Sequence, residues 1–105
     1  MTIQKYSGKL LLFVYKYYTD YGNLPPYSLI LNSMGWGKSK LKIATKYLSG
    51  KGWVTSRQTA DGHFHITGIE PGGIEIVENG TEFKKNFGIE INFGLIKFNF
   101  NTQEK

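Results

Sequence analysis

Apolar positions near the start of the chain recur at steps of three and four residues, which is the spacing of one helix face. They are Leu10, Phe13, Val14, Tyr17, Tyr18 and Tyr21. Gly22-Asn23 and Pro25-Pro26 then interrupt the pattern, because glycine permits a turn and proline fixes φ. We therefore predict a first helix over residues 6–21 and a second helix that begins only after Pro26.

The next segment predicts two helices separated by a glycine turn. The second helix, Tyr27–Met34, is short and apolar, and it breaks at Gly35-Trp36-Gly37. The third covers residues 38–49 and sorts its side chains by angle. Leu41, Ala44 and Leu48 share one side, whereas Ser39, Lys42, Ile43 and Lys46 share another. We expect the first side to pack and the second to face solvent.

A two-stranded ribbon follows the third helix. Residues 53–59 have the aromatic and β-branched content of a strand, and residues 63–69 form the return strand. Between them, Asp61-Gly62 predicts a type I′ turn with positive φ at both central positions. Beyond the Pro-Gly-Gly sequence at 71–73, residues 74–78 are compatible with a short helix or with another extended piece.

The C-terminal segment changes to a period of two. Phe87, Ile89, Ile91 and Phe93 alternate on odd positions, and Ile96, Phe98 and Phe100 alternate on even positions. A type II′ turn at Gly94-Leu95 would pair 93 with 96, 91 with 98 and 89 with 100. Such a hairpin is marginal alone, so we expect it to pack on its own domain or on a second copy of the chain. One long strand with a bulge at Gly94 is the alternative.

Length and composition limit the organisation of the protein. A chain of 105 residues fits one compact domain, which we assign to residues 1–80, with residues 81–105 as a hairpin extension. The chain has no Cys, so disulfides and thiolate chemistry are excluded. The apolar run over residues 10–15 is far shorter than the roughly 20 residues needed to span a bilayer. We expect a cytoplasmic protein without a membrane association.

Charge is distributed unevenly along the chain. Residues 1–57 hold nine Lys or Arg and one acid, whereas residues 58–105 hold four Lys and seven acids. A positive half attracts phosphate, and an acidic half is poorly suited to lie on nucleic acid. The opposing interpretation is that exposed lysines only keep a small protein in solution.

Three runs resemble the second and third helices of winged helix-turn-helix DNA-binding domains. They are LPPYSLI at 24–30, MGWGKSK at 34–40 and LKIATKYLSGKGWV at 41–54. The junction at Gly52-Trp53-Val54 is similar to the junction between helix and wing in many small prokaryotic and archaeal regulators. The resemblance covers residues 6–77. Arg57 is the only arginine, and the C-terminal hairpin is not part of the common core of that family.

The resemblance implies an α+β fold, a winged helix-turn-helix of three helices plus a β-wing. It further implies sequence-selective or weakly selective binding of double-stranded DNA by a transcriptional regulator. The third helix, 38–49, would enter the major groove, and the wing, 53–69, would touch a flanking groove or the backbone. We expect a homodimer joined through the C-terminal hairpin. The alternatives are a winged-helix protein–protein interaction module without DNA binding, and a nucleic-acid architectural or replication accessory protein.

The candidate DNA-binding residues follow from their chemistry on these elements. Lysine ammonium groups suit phosphates, Ser39 can hydrogen-bond to phosphate or base, and the wing offers further polar contacts. The set is Lys38, Ser39, Lys40, Lys42, Ile43, Lys46, Arg57, Gln58 and His63. Ile43 has two interpretations, contact with a thymine methyl or cover for a neighbouring helix. Because lysine is a flexible point charge, its dominance favours backbone binding over sharp base reading.

Other chemistry finds little support in the sequence. His63 and His65 lie two apart and point to one face of a strand, but no third ligand is placed beside them, so we expect no metal. Trp36 and Trp53 lie at junctions and are expected to pack. The sequence GWGKS at 35–39 lacks the first half of the phosphate-binding glycine loop. We expect neither a cofactor nor catalysis.

Overall fold

The computed structural model describes residues 2–91 and has an α+β architecture. Within that range it contains five helices and one two-stranded antiparallel sheet. In chain order they are α1 (Ile3–Tyr21), α2 (Tyr27–Met34), α3 (Lys38–Gly50), β1 (Val54–Gln58), β2 (Phe64–Ile69), α4 (Pro71–Glu78) and α5 (Gly80–Phe87). Three helices followed by a ribbon are compatible with the winged-helix arrangement expected from the sequence.

The three helices predicted from periodicity are confirmed. Helix α1 begins three residues earlier than expected because the Thr2 hydroxyl accepts a hydrogen bond from the Lys5 backbone N–H at 3.2 Å. This is an N-cap, which satisfies one of the free amides at a helix start. Helix α2 has the predicted bounds, and α3 extends one residue further, to Gly50.

The ribbon forms where it was predicted, but its turn differs from the prediction. The expected type I′ turn is wrong, because no residue other than glycine has positive φ within residues 2–91. Thr59 and His63 instead close a three-residue loop, with Thr59 N–H donating to His63 O at 2.9 Å. Gly62 takes the left-handed conformation, φ 86°. A turn followed by a left-handed glycine is the usual three-residue hairpin connection.

Two helices follow the ribbon, and the second of them includes the first residue of a predicted strand. The undecided residues 74–78 belong to α4, which begins with Pro71 in its first turn. Phe87 was assigned to a strand, and that assignment is wrong because it is the last residue of α5. The Asn79 side chain caps the start of α5 by accepting from Glu82 N–H at 3.2 Å, and Gly88 ends it at φ 70°.

The core joins α1 to every other helix and to β1. Its members are Tyr6, Leu10, Leu11, Val14, Ile30, Leu41, Ala44, Leu48, Val54, Val77, Phe83 and Phe87. Helices α1 and α5 come so close that a Cβ atom on Gly8 would lie 2.6 Å from the Phe87 Cβ. The core therefore extends through Phe87, past the boundary expected at residue 80. The predicted hairpin depends on residues 92–100, which lie outside the described part of the chain.

Both tryptophans pack, as the sequence predicted. The Trp36 ring meets the Tyr6 ring edge to face at 5.4 Å between centroids, and Trp53 meets Phe87 in the same way at 5.1 Å. Each of these junction residues thus holds a turn against the body of the domain, a use that suits large aromatic side chains.

Candidate nucleic-acid interface

Helix α3 has one buried side and one exposed side. Leu41, Ala44, Thr45 and Leu48 are buried against the core. Ser39, Lys42, Ile43 and Lys46 are exposed, and we call these four residues the α3 outer face. The sorting of side chains predicted by angle is therefore confirmed. Ile43 is 43 % exposed.

The outer face has a centre and an edge. At about 100° per residue, Ile43 and Lys46 lie within about 40° of Ser39 around the helix axis, and Lys42 lies about 60° away. Ser39, Ile43 and Lys46 therefore follow one line along the middle of the face, with Lys42 beside it. Lys38 is also exposed, at the first position of the helix.

The positive charge of this surface is not neutralised within the described residues. The ion pairs found in residues 2–91 are Lys16 with Asp20, His63 with Asp61 and Lys84 with Glu90. None involves α3. The first turn of α3 has no acidic residue, so its lysines add to the positive end of the helix dipole. Such a surface favours an anionic partner.

Lys40 differs from the other lysines of α3. It is half-buried, and its Nζ lies 5.0 Å from the centroid of the Tyr6 ring and 5.1 Å from that of Trp36. An ammonium over two aromatic rings is attracted by their electron-rich faces. Lys40 therefore ties the start of α3 to α1, and its ammonium lies away from the outer face.

One side of the ribbon borders the α3 outer face. The Nζ atoms of Lys42 and Lys46 each lie 5.7 Å from the centroid of the Phe64 ring, at the start of β2. Gln58 pairs with Phe64 across the ribbon and so shares this side. Nearer α3, Ser56 Oγ donates to Ser49 Oγ at 3.3 Å. The ribbon is thus held beside the lysines.

Arg57 and His63 belong to the opposite side of the ribbon. Arg57 pairs with His65, and the rings of His63 and His65 both stack on Tyr27, at 5.1 and 4.7 Å. This confirms that the two histidines point the same way. The wing residues predicted from sequence therefore split between two sides, with Gln58 near α3 and Arg57 and His63 away from it.

Asp61 organises the loop at the end of the ribbon. Its carboxylate accepts hydrogen bonds from the Thr59 hydroxyl and the His63 backbone N–H, which hold its pKa below the usual value. The Asp61 Oδ2 atom also lies 3.3 Å from His63 Nδ1. Burial, and then the charge of Asp61, raise the pKa of Tyr27. Within residues 2–91, no group of three His, Cys, Asp or Glu could hold a metal ion.

Sequence reasoning missed two aromatic neighbours of the site, Phe64 and Tyr27. A signal existed for Phe64, because alternation along a strand puts residue 64 on the side opposite 63 and 65. No comparable signal existed for Tyr27, because its contact joins two elements distant in sequence.

Comparison of the chain with protein-family models, with curated proteins and with solved structures gives no match. None of the helices within residues 2–91 combines the length and the apolar character that crossing a membrane requires.

Proposed function

We propose that the protein is a winged-helix protein that binds double-stranded DNA. The α3 outer face would enter the major groove, and the side of the ribbon that carries Gln58 and Phe64 would approach the flanking backbone. The observation that carries this proposal is the exposure of Lys42 and Lys46 beside Ser39 and Ile43, without an acidic partner in residues 2–91. Lysines on an exposed helix suit a polyanion whose backbone is charged along its whole length.

The contacts proposed for individual residues follow from their positions. Lys38 and Lys42 would contact phosphates, and Ser39 and Lys46 lie where the edges of bases would be. Lys40 would act indirectly, by fixing the start of α3. Arg57 and His63 would reach DNA only if it also passed the far side of the ribbon. Weakly selective binding by a cytoplasmic transcriptional regulator is the role that fits this set.

We further propose that the protein is a homodimer joined by the apolar C-terminal segment. The observation is the alternation of Ile96, Phe98 and Phe100 in the sequence. Sedimentation would give twice the chain mass for the parent and the chain mass for Phe98→Asp. A monomeric parent would remove this part of the proposal and leave DNA binding intact.

The test of DNA binding is a double charge reversal, Lys42→Glu with Lys46→Glu. Both side chains are exposed, whereas Leu41 and Leu48 are buried, so the fold should persist. Loss of the Lys42 phosphate contact and the Lys46 base contact, with two negative charges added, should weaken binding at ~0.1 M salt by about tenfold or more. Fluorescence anisotropy with a mixed-sequence duplex measures the change.

A matched control is Lys84→Glu with Lys85→Glu on α5. These lysines are also exposed, and the change in net charge is the same. The control should retain most of the affinity of the parent. Equal losses in both variants would show that only net charge matters, and no loss in either would favour the alternative of a protein–protein interaction module.

A further inference from the structure

Large apolar side chains are exposed at few places in residues 2–91. Four are exposed there, Ile3, Tyr18 and Tyr21 on α1 and Ile43 on α3. A single exposed apolar residue is ordinary on a protein surface. Ile43 differs from the others in its surroundings, because it lies on the centre line of the α3 outer face, between Ser39 and Lys46 and next to Lys42.

This combination points to a partner that is both anionic and locally apolar. An apolar protein surface would have to desolvate the neighbouring ammonium groups, which is costly. Duplex DNA avoids that cost, because its phosphates border the groove while base edges line the floor. Among the groups that the bases present in the major groove, the C5 methyl of thymine is the apolar one.

We infer that Ile43 determines specificity by contacting a thymine methyl in the major groove. This inference rests on the proposed DNA binding and adds the base that would be read. Ile43 is placed for the role because the middle of an inserted helix meets base edges while its flanks meet phosphates.

The position of Lys46 extends the inference to a neighbouring base. Lys46 lies three residues beyond Ile43, which is a rise of about 4.5 Å along the helix, and base pairs are stacked about 3.4 Å apart. The Lys46 ammonium can donate to the O6 and N7 acceptors of guanine. The preferred site would therefore contain a guanine one or two base pairs from the thymine that Ile43 contacts.

The experiment begins with selection of a tightly bound duplex from a random pool by the full chain. Each thymine of that duplex is then replaced by uracil, which removes the methyl group and keeps the base pairing. Affinities are measured for the parent, Ile43→Ala and Ile3→Ala. Ile3 is the matched control, because it is 46 % exposed but lies on α1. Alanine favours helix, so both variants should fold.

For the parent and Ile3→Ala, uracil at one position should weaken binding about fourfold, the equivalent of burying one methylene-sized group at about 0.8 kcal/mol. Ile43→Ala should bind the thymine and uracil duplexes equally at that position. Equal sensitivity in the parent and Ile43→Ala, or no sensitivity in the parent, would overturn the inference and leave DNA binding standing. Failure of the parent to retain any duplex in the selection would instead overturn the proposed function.

Discussion

Two hydroxyl groups in the core have no hydrogen-bond partner within residues 2–91. They belong to Ser7 on α1 and Thr45 on α3, and both side chains are fully buried. A buried hydroxyl without a partner loses its hydration and gains nothing in return. Thr45 matters more for the site, because it lies on the buried side of the helix that carries the lysines.

Thr45→Val should increase the free energy of unfolding by about 1 kcal/mol, because valine has nearly the same shape and no polar atom to desolvate. Urea denaturation measures the change. Thr67→Val is the control, since the exposed Thr67 hydroxyl donates to Thr55 Oγ1 at 3.0 Å, and no gain is expected there. A destabilised Thr45→Val variant would show that the hydroxyl has a favourable interaction.

Tyr15 links α1 to α4. Its raised pKa predicts that the protein loses stability at high pH. Its hydroxyl donates to Glu78 Oε2 at 2.6 Å. Burial first, and then this hydrogen bond, raise its pKa from 10.0 to about 12. Because the folded-state pKa is the higher one, the stabilisation is fully present below pH 10 and is lost as pH rises toward 12.

The test compares the parent with Tyr15→Phe by urea denaturation between pH 9 and 12. The difference in stability between the two proteins should shrink across that window, because only the parent has to retain this phenol in its neutral form. A difference that stays constant with pH would mean that Tyr15 titrates alike in the folded and unfolded chains.

At the scale of elements, the packing of α1 on α5 depends on a glycine. A Cβ on Gly8 would lie 2.6 and 2.7 Å from the first two side-chain carbons of Phe87. Real Cβ contacts are not that short, and the Phe87 ring is buried in a dense core. Either the helices or the ring would have to move.

Gly8→Ala should therefore destabilise the protein by about 1–3 kcal/mol, the usual cost of overpacking. Alanine has the higher helix propensity, so a loss can be attributed to the clash. Gly50→Ala, at the end of α3, is the control because a Cβ there meets nothing within 4 Å. Equal stability of the two variants in urea would contradict the close contact between α1 and α5.

The elements that the sequence predicted correctly are those with a single clear period. The spacing of Leu10, Val14 and Tyr17 has no competing interpretation, and the ribbon was predicted from its β-branched and aromatic content and from Asp61-Gly62. Phe87 was ambiguous, because it lies four residues after Phe83, as in a helix, and two before Ile89, as in a strand. Phe87 belongs to the helix, where both phenylalanines are buried. Contact with Gly8, far away in sequence, could not be predicted from spacing.

In the candidate site too, positions within one element were predictable from the sequence, whereas contacts between distant elements were not. The angular positions of Lys42, Ile43 and Lys46 within one helix were enough to predict their exposure. The position of the Lys40 ammonium over two aromatic rings was not predictable, because it depends on how Tyr6 and Trp36 come together from two other parts of the chain. The split of the wing residues was predictable in principle, since Arg57 and Gln58 are neighbours on a strand.

At the scale of the whole molecule, the proposed DNA binding depends on how charge is distributed over the surface. The positive α3 outer face belongs to the basic half of the chain, and the exposed acids Glu75, Glu78 and Glu82 lie on α4 and α5. An approaching polyanion would be attracted to one surface and repelled by another. Binding should accordingly have both a preferred orientation and a strong dependence on salt.

The salt dependence can be expressed as a number of phosphates. If Lys38, Lys42 and one further cation neutralise about three phosphates, the logarithm of the association constant should fall with the logarithm of salt concentration with a slope of about −3. Anisotropy titrations between ~50 and ~200 mM salt measure it. The Lys42→Glu, Lys46→Glu variant should have a slope about 1 unit shallower, and identical slopes would mean that Lys42 does not meet a phosphate.

The most direct test of the central claim is an NMR titration of the 105-residue chain with a duplex. Backbone amide shifts would be followed for residues 2–91 as DNA is added. If the α3 outer face is the docking surface, the largest changes should occur at residues 38–46 and at Phe64, with little change at residues 80–87 on α5. Changes concentrated on α4 and α5, or no changes at saturating DNA, would contradict the account.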